Sequence, residues 1–408
     1  MTEARRAVAD AHRREWARVL AATVRVTRDL DLAEECVQDA YAAALDAWAR
    51  DGVPDRPAAW LTTAARHNAL DALRRAATLR AKLPLLVEPA PDPPPAGDPL
   101  RLVFLCCHPA LAGEAQVALT LRLVCGVPTP DVAAAFLVPV ATMAARITRA
   151  KKKIAAARIP FRMPSRAELP DRLDAVLTTI HLLFTTGHTA PSGASLMRVS
   201  CAERALELAR LLRELMPDSR EVRGLLALLL AGHARRATRT DEAGRLLLLS
   251  EQDRSRWDAA ALEEADELVV SALRGGAPGR FTLQAAIAML HASAPSFAET
   301  DWPQILVLYD ELVKVWPSPV VALNRTVAVA MVDGPARALA EVTALEGDRR
   351  LSGYRYLPAI KADFLRRLGR WAEAAACYEE ALTATGNEAE RAFLRGRLTE
   401  VRQAGAPG

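Results

Sequence analysis

Residues 111–158, LAGEAQVALTLRLVCGVPTPDVAAAFLVPVATMAARITRAKKKIAAAR, decide how the chain is read. The apolar spacing predicts a helix, a short helix, a tight turn and a further helix that ends in a basic run. Residues 130–136 would be the support helix, Leu137-Val138-Pro139 the turn, and residues 140–154 the recognition helix of a helix-turn-helix. Ala134, Phe136, Val138, Met143 and Ile147 are expected to bury and set the angle between the helices. Val140, Ala141, Thr142, Ala145, Arg146 and Arg149 are then left near base edges or phosphates. Arginine pairs with guanine through two hydrogen bonds, whereas lysine mostly neutralises phosphate. Arg146, Arg149, Lys151, Lys152, Lys153 and Arg158 come with no acidic residue among them, a pattern favoured where counterions are released from DNA. The three lysines would also suit the C-terminal end of a helix dipole.

Upstream, residues 10–82 read as three helices. The first covers residues 10–27. Asp31 with Glu34 makes a capping box for the second, which runs to about Arg50. Asp51-Gly52-Val53-Pro54 breaks it, and Pro57 suits the first turn of the third, through Trp60, Leu61, Ala64, Leu70 and Leu73. In the second helix Glu35, Gln38 and Asp39 interleave with Tyr41 and Trp48, a face suited to a partner's basic helices or simply to water. The third mixes Arg66, His67, Asn68, Arg74 and Arg75 with Trp60. That set suits stacking and edge hydrogen bonds to exposed bases, although Trp60 fits a core equally well. The prolines of residues 84–99, PLLVEPAPDPPPAGDP, oppose helix and predict an extended tether between two small domains, 1–83 and 100–159.

Residues 160–170, with Pro160, Pro164 and Pro170, form another break, and from Pro170 to about Arg402 the pattern is paired helices. The unit AIKADFLRRLGRWAEAAACYEEALTATGN places Ala362, Gly369, Trp371, Ala374, Tyr378 and Ala381 at tetratricopeptide spacing. Pro217 and Pro317 lie 100 residues apart, close to three repeats of roughly 34 residues. A stacked solenoid over residues 160–408 is expected, because one helix pair cannot bury its own apolar face; a plain helical bundle is the alternative. The fold class is therefore all-α, consistent with a composition dominated by Ala, Leu and Arg.

With 51% hydrophobic and 25% charged residues, the chain can bury a large core and is not of disordered type. Residues 1–158 carry 22 Lys and Arg against 17 Asp and Glu, and the rest 31 against 32, so the basic excess sits in the front part. Six cysteines in a chain of 408 residues form no disulfide ladder, which points to a reducing compartment. The N-terminal residues have no apolar signal region and no run reaches membrane-spanning length, so a cytoplasmic protein without membrane contact is expected. Cys106-Cys107-His108, with Cys125, would serve a soft metal, or would be small buried residues beginning a helix before Pro109. The second reading is preferred, so no metal or cofactor is expected. His181 and His188 are assigned structural roles. The chain contains no GxxxxGK[ST], HExxH or GxSxG, and no catalytic residue is expected.

Three segments, AEECVQDAYAAALDAW, PAAWLTTAARHNALDALRR and EAQVALTLRLVCGVPTPDVAAAFLVPVATMAARITRAKKKI, resemble in order and spacing the extracytoplasmic-function (ECF) sigma factors of the sigma-70 family. FLCCHPALAGEAQVALTLRL, RIPFRMPSRAELPDRL, SEQDRSRWD, ETDWPQI and PSPVVALNRTVAVA resemble the group of these factors with a tetratricopeptide-like C-terminal extension. IHLLFTTGHTAPSG departs from that group where more acidic character is expected. The resemblance implies a transcription initiation factor with core RNA polymerase and promoter DNA as partners. It implies that Glu35, Gln38, Asp39, Tyr41 and Trp48 meet the clamp helices of the largest polymerase subunit. Trp60, Arg66, Asn68, Arg74 and Arg75 would meet the −10 element, and Thr142, Ala145, Arg146, Arg149, Lys151, Lys152 and Lys153 the −35 element. The C-terminal region is expected to regulate, through intramolecular contact with the sigma domains or through a peptide or protein partner. The alternatives are a stand-alone helix-turn-helix regulator with a sensing helical-repeat domain, and a scaffold whose helix-turn-helix is vestigial.

Overall fold

The computed structural model describes residues 3–80, 99–136, 138–157, 159, 162, 164–165 and 167–406. Leu137, Arg158 and all of the expected tether except Pro99 lie outside the described residues. The fold is all-α. The chain divides into two compact units, Met1–Ile180 and His181–Gly408.

In the first unit, α1 (Glu3–Thr27), α2 (Leu30–Asp51) and α3 (Pro57–Arg80) pack on one another. Trp16, Leu20 and Val24 of α1, Val37, Tyr41, Ala44 and Trp48 of α2, and Leu61 and Ala65 of α3 are buried. The cap of α2 is Asp29, not Asp31: it has extended backbone angles and accepts from the amides of Asp31 at 2.8 Å and Leu32 at 3.0 Å. The expected capping box fails because the helix starts at Leu30, leaving Glu34 free to serve elsewhere.

Next come α4 (Pro99–Cys106), α5 (Gly113–Leu123), α6 (Thr129–Ala135), α7 (Val140–Ala156) and α8 (Leu169–His188). Cys106 and Cys107 close α4 instead of opening a helix; both are fully buried. The axes of α6 and α7 are bent by 104°, within the range of a helix-turn-helix. Met143 and Ile147 bury as expected, but Val132 and Ala133 supply the inner side of α6. Ala134 is exposed, because Val132 and Ala133 take the inner side of the helix, and Phe136 and Val138, beyond its end at Ala135, are only half-buried. The two helix groups expected as separate domains pack into one unit. The Trp16 indole N–H donates to the Leu123 carbonyl at 2.9 Å in a buried contact. Gly126, at φ 64°, turns the chain beside that indole.

The second unit holds α9 (Val199–Leu215), α10 (Arg220–Ala234), α11 (Ala259–Leu273), α12 (Arg280–Ser293), α13 (Trp302–Val315), α14 (Pro319–Val332), α15 (Pro335–Leu345), α16 (Tyr356–Arg367), α17 (Trp371–Ala384) and α18 (Glu388–Ala404). Successive helices pack on their neighbours. Pro217 and Pro317 fall in the turns between α9 and α10 and between α13 and α14. Ala362, Ala374, Tyr378 and Ala381 are buried where α16 meets α17, and Gly369 turns the chain between them at φ 72°. α8 continues through Gly187, where a side chain would strike the Ala202 backbone N at 2.5 Å; bare glycine lets α8 and α9 touch. His181 packs edge-on against Phe281 at 5.5 Å, and His188 stacks on Phe184 at 5.3 Å.

Two departures from helical repetition stand out. Residues 235–258, between α10 and α11, form an irregular segment with three 3-10 turns and an isolated bridge, Thr240 to Leu246. A short parallel pair, β1 (Ser192–Gly193) with β2 (Gly386–Asn387), joins the two ends of this unit. Asn387 is fully buried there. Its amide donates to the carbonyls of Ala190 at 3.2 Å and Ser195 at 2.8 Å, and its oxygen caps α18 through the amides of Ala389 and Glu390.

Candidate nucleic-acid and partner surfaces

α7 is sharply two-sided. Met143, Ile147, Ala150 and Ile154 form its buried stripe. Thr142, Ala145, Arg149, Lys152 and Lys153 are exposed on the opposite side. Among the described residues no carboxylate pairs with Arg149, Lys152 or Lys153, so this face is uniformly cationic and open. Arg146 is half-buried: its guanidinium pairs with Glu114 at 3.0 Å and lies 5.8 Å from the centre of the Phe136 ring. It braces the helix-turn-helix from within.

Lys151 stands apart. At about 100° per residue it lies roughly 150° around α7 from the exposed basic face. Its ammonium donates to Asp31 at 2.8 Å and Glu34 at 2.6 Å, both on α2. Burial works against the charge, but hydrogen bonds to the two carboxylates outweigh it and hold the pKa above the ordinary lysine value. Lys151 therefore belongs to a contact between α7 and α2, which corrects its assignment to the DNA face. Arg122 of α5 adds a second cation on Glu34 at 2.8 Å.

The outward side of α2 carries Glu35, Gln38 and Asp39, all exposed, with Leu45 (41% exposed) and Asp46 further along the same side. Tyr41 and Trp48 sit in the core and are not part of that surface. The Tyr41 hydroxyl donates to the Ala11 carbonyl at 3.2 Å, and Trp48 meets Trp60 edge to face at 5.8 Å. The reason is periodicity: with Ala33, Val37, Ala40 and Ala44 they share one helical stripe. On α3, Arg66, Arg74 and Arg75 are exposed, joined by Thr63 and His67. Arg74 pairs with Asp71 at 3.3 Å, and the Arg75 side chain donates to the Asp71 carbonyl. Asn68 is committed elsewhere: its amide donates to the Cys36 carbonyl at 3.1 Å and ties α3 to α2. Trp60 is half-buried, with one edge on Trp48.

Sigma-70 region 2 matches residues 11–78, and sigma-70 region 4 matches residues 101–154. The chain belongs to the sigma-70 family. A family of unknown function, DUF6596, matches residues 172–273. An uncharacterized protein of Rhizobium meliloti (strain 1021) is 40% identical over 394 residues, covering 94% of this chain and 93% of that one. No solved structure matches.

Membership of the sigma-70 family gives the chain a DNA-binding role in transcription initiation, with core RNA polymerase and promoter DNA as partners. In these terms α1–α3 are region 2 and α4–α7 are region 4. The Lys151 contact is a docking of region 4 on region 2. A cleft of about 650 Å³ runs along this seam, lined by Val24, Arg28 and Leu30 of region 2 and by Leu105, Lys151 and Ile154 of region 4. Among the described residues no single helix is long and apolar enough to cross a membrane, and no three His, Cys, Asp or Glu side chains converge as metal ligands. The Cys107 sulfur lies 3.6 Å from the Thr120 hydroxyl and 3.9 Å from that of Thr179; burial pushes its thiol up to about 11. The His108 ring accepts from the Ala110 amide at 3.1 Å and stabilises the turn after α4.

Proposed function

We propose that the chain is a promoter-specificity subunit of the extracytoplasmic-function type, acting in the cytoplasm. Glu35, Gln38, Asp39 and Leu45 of α2 dock on core polymerase. Thr63, Arg66, His67 and Arg74 of α3, with Trp60 at its base, hold an unstacked base of the −10 element, which costs a few kcal/mol to extrude. Thr142, Ala145, Arg149, Lys152 and Lys153 of α7 read the −35 element in the major groove. The observation that carries this reading is the open, unpaired cationic face of α7 behind a two-helix corner of 104°. The domains are those of the sequence reading: 1–83, a tether over 84–99, 100–159, and a tetratricopeptide-like extension over 160–408 that regulates the sigma regions. Transcription by purified core polymerase, with and without the full chain, tests the proposal. Promoter-dependent transcripts support it. Sequence-specific DNA binding without polymerase engagement favours a stand-alone regulator.

A further inference from the structure

The irregular segment 235–258 holds three half-buried arginines, Arg235, Arg239 and Arg254, that have no carboxylate partner among the described residues. Its ends are tied together: the Asp258 amide donates to the Ala234 carbonyl at 3.0 Å, and the Trp257 indole N–H to the Thr238 hydroxyl at 2.9 Å. Of its six arginines, Arg236 pairs with Asp258, Arg245 pairs with Asp241 and Arg256 is exposed, which leaves Arg235, Arg239 and Arg254. Arg239 is pinned by its bonds to the His188 carbonyl and to the Thr189 hydroxyl, the latter at 3.1 Å. Arg254 donates from Nη1 to the carbonyls of His291 at 2.7 Å and Ala294 at 2.8 Å, with its guanidinium 4.7 Å from the Trp257 ring centre. Its Nη2 is buried without a partner, as is Nδ1 of the neighbouring His291. Arg235, at the C-terminal end of α10, makes no side-chain hydrogen bond or ion pair with any described residue.

Among the described residues no carboxylate pairs with Arg235, Arg239 or Arg254, although all three are half-buried. The nearby acids are engaged: Asp258 with Arg236 at 3.8 Å, and Glu390 with Arg355 at 3.3 Å and the Tyr356 hydroxyl at 2.7 Å. Burial depresses the Arg235 pKa, with Arg254 adding to it. Burial and then Arg235 push Arg239 down to about 10. Guanidinium stays charged at neutral pH even so, and a desolvated charge without a partner is strongly unfavourable. Long irregular segments in compact units are commonly functional.

We infer that a small oxyanion, bearing a carboxylate or phosphate group, binds among Arg235, Arg239 and Arg254 in the C-terminal unit. The arginine fork matches the planar edge of such a group, and Arg254 Nη2 and His291 supply unused polar atoms beside it. The site is independent of the promoter reading, and would give the C-terminal unit a chemical input.

The test is thermal unfolding of the full chain in inorganic phosphate, and separately with a short glutamate-rich peptide, against chloride at matched ionic strength. A saturable rise of about 3–5 °C is expected. A rise with phosphate identifies a free oxyanion; a rise with the peptide alone identifies carboxylates carried on a chain. Arg235→Gln is expected to abolish the rise and, without added anion, to melt no lower than the parent. In the parent chain, amide hydrogen exchange across residues 235–258 is expected to slow on adding whichever probe raises the melting temperature. No rise with either probe, a rise that Arg235→Gln retains in full, or unchanged exchange in that segment overturns the inference.

Discussion

Lys151 and Lys152 are neighbours in sequence with opposite duties. Lys152 and Lys153 are exposed cations on the open face of α7, so each is expected to neutralise a phosphate. Alanine at either position should reduce the salt dependence of DNA binding by about one unit of slope. Lys151→Ala should leave that slope unchanged and instead lower stability by about 1–2 kcal/mol, because Asp31 and Glu34 lose a partly buried donor while Arg122 still holds Glu34. Binding titrations at several salt concentrations, with urea unfolding of the same variants, separate these roles. Equal slopes lost at Lys151 and Lys152 would mean that Lys151 leaves α2 to meet DNA. The basic run was legible in the sequence, but its division was not, because a list of like charges hides their angular positions. Tyr41 and Trp48 carry the same lesson: acidic neighbours suggest a surface, while the spacing from Ala33 through Ala44 places both aromatics in the core.

Among the elements, the helices follow the sequence closely and the caps and closures do not. The prolines at 57, 217 and 317 lie where the sequence reading places them, at a helix start and in two turns, because proline lacks an amide and fixes φ whatever the tertiary context. The β1–β2 pair is different. Asn387 looks like a turn residue after α17, and its partners Ala190 and Ser195 lie more than 190 positions earlier, where no local pattern can reveal them. Asn387→Ala removes the cap of α18 and takes the donor from the buried Ala190 carbonyl and the part-buried Ser195 carbonyl. It is expected to cost about 2–4 kcal/mol, measured as a lower urea midpoint. A change under about 0.5 kcal/mol would show that the closure adds nothing beyond helix packing.

At the scale of the whole molecule, the C-terminal unit carries half-buried neutral histidines. Burial pushes His181 and His291 down to about 4 from 6.5, and lowers His188 well below its ordinary range. Below pH 6.5 the unfolded chain takes up protons that the folded unit refuses, so stability is fully present above pH 6.5 and falls as pH drops toward about 4. The loss approaches roughly 1.4 kcal/mol per pH unit for each such histidine, read as a falling urea midpoint between pH 7.5 and 4.5; a flat profile would contradict it. The all-α class and both sigma regions were legible because they rest on local periodicity. The docking of region 4 on region 2 was not, since it depends on pairs such as Trp16 with Leu123 that are far apart in the chain. The most direct measurement is transcription from DNA upstream of the chain's own gene by purified core polymerase. The full chain should yield transcripts from a defined start, and the Arg149→Ala, Lys152→Ala, Lys153→Ala triple variant should yield at least tenfold fewer while still binding polymerase. Failure of the folded chain to bind core polymerase, or transcripts indifferent to the triple change, would contradict the account.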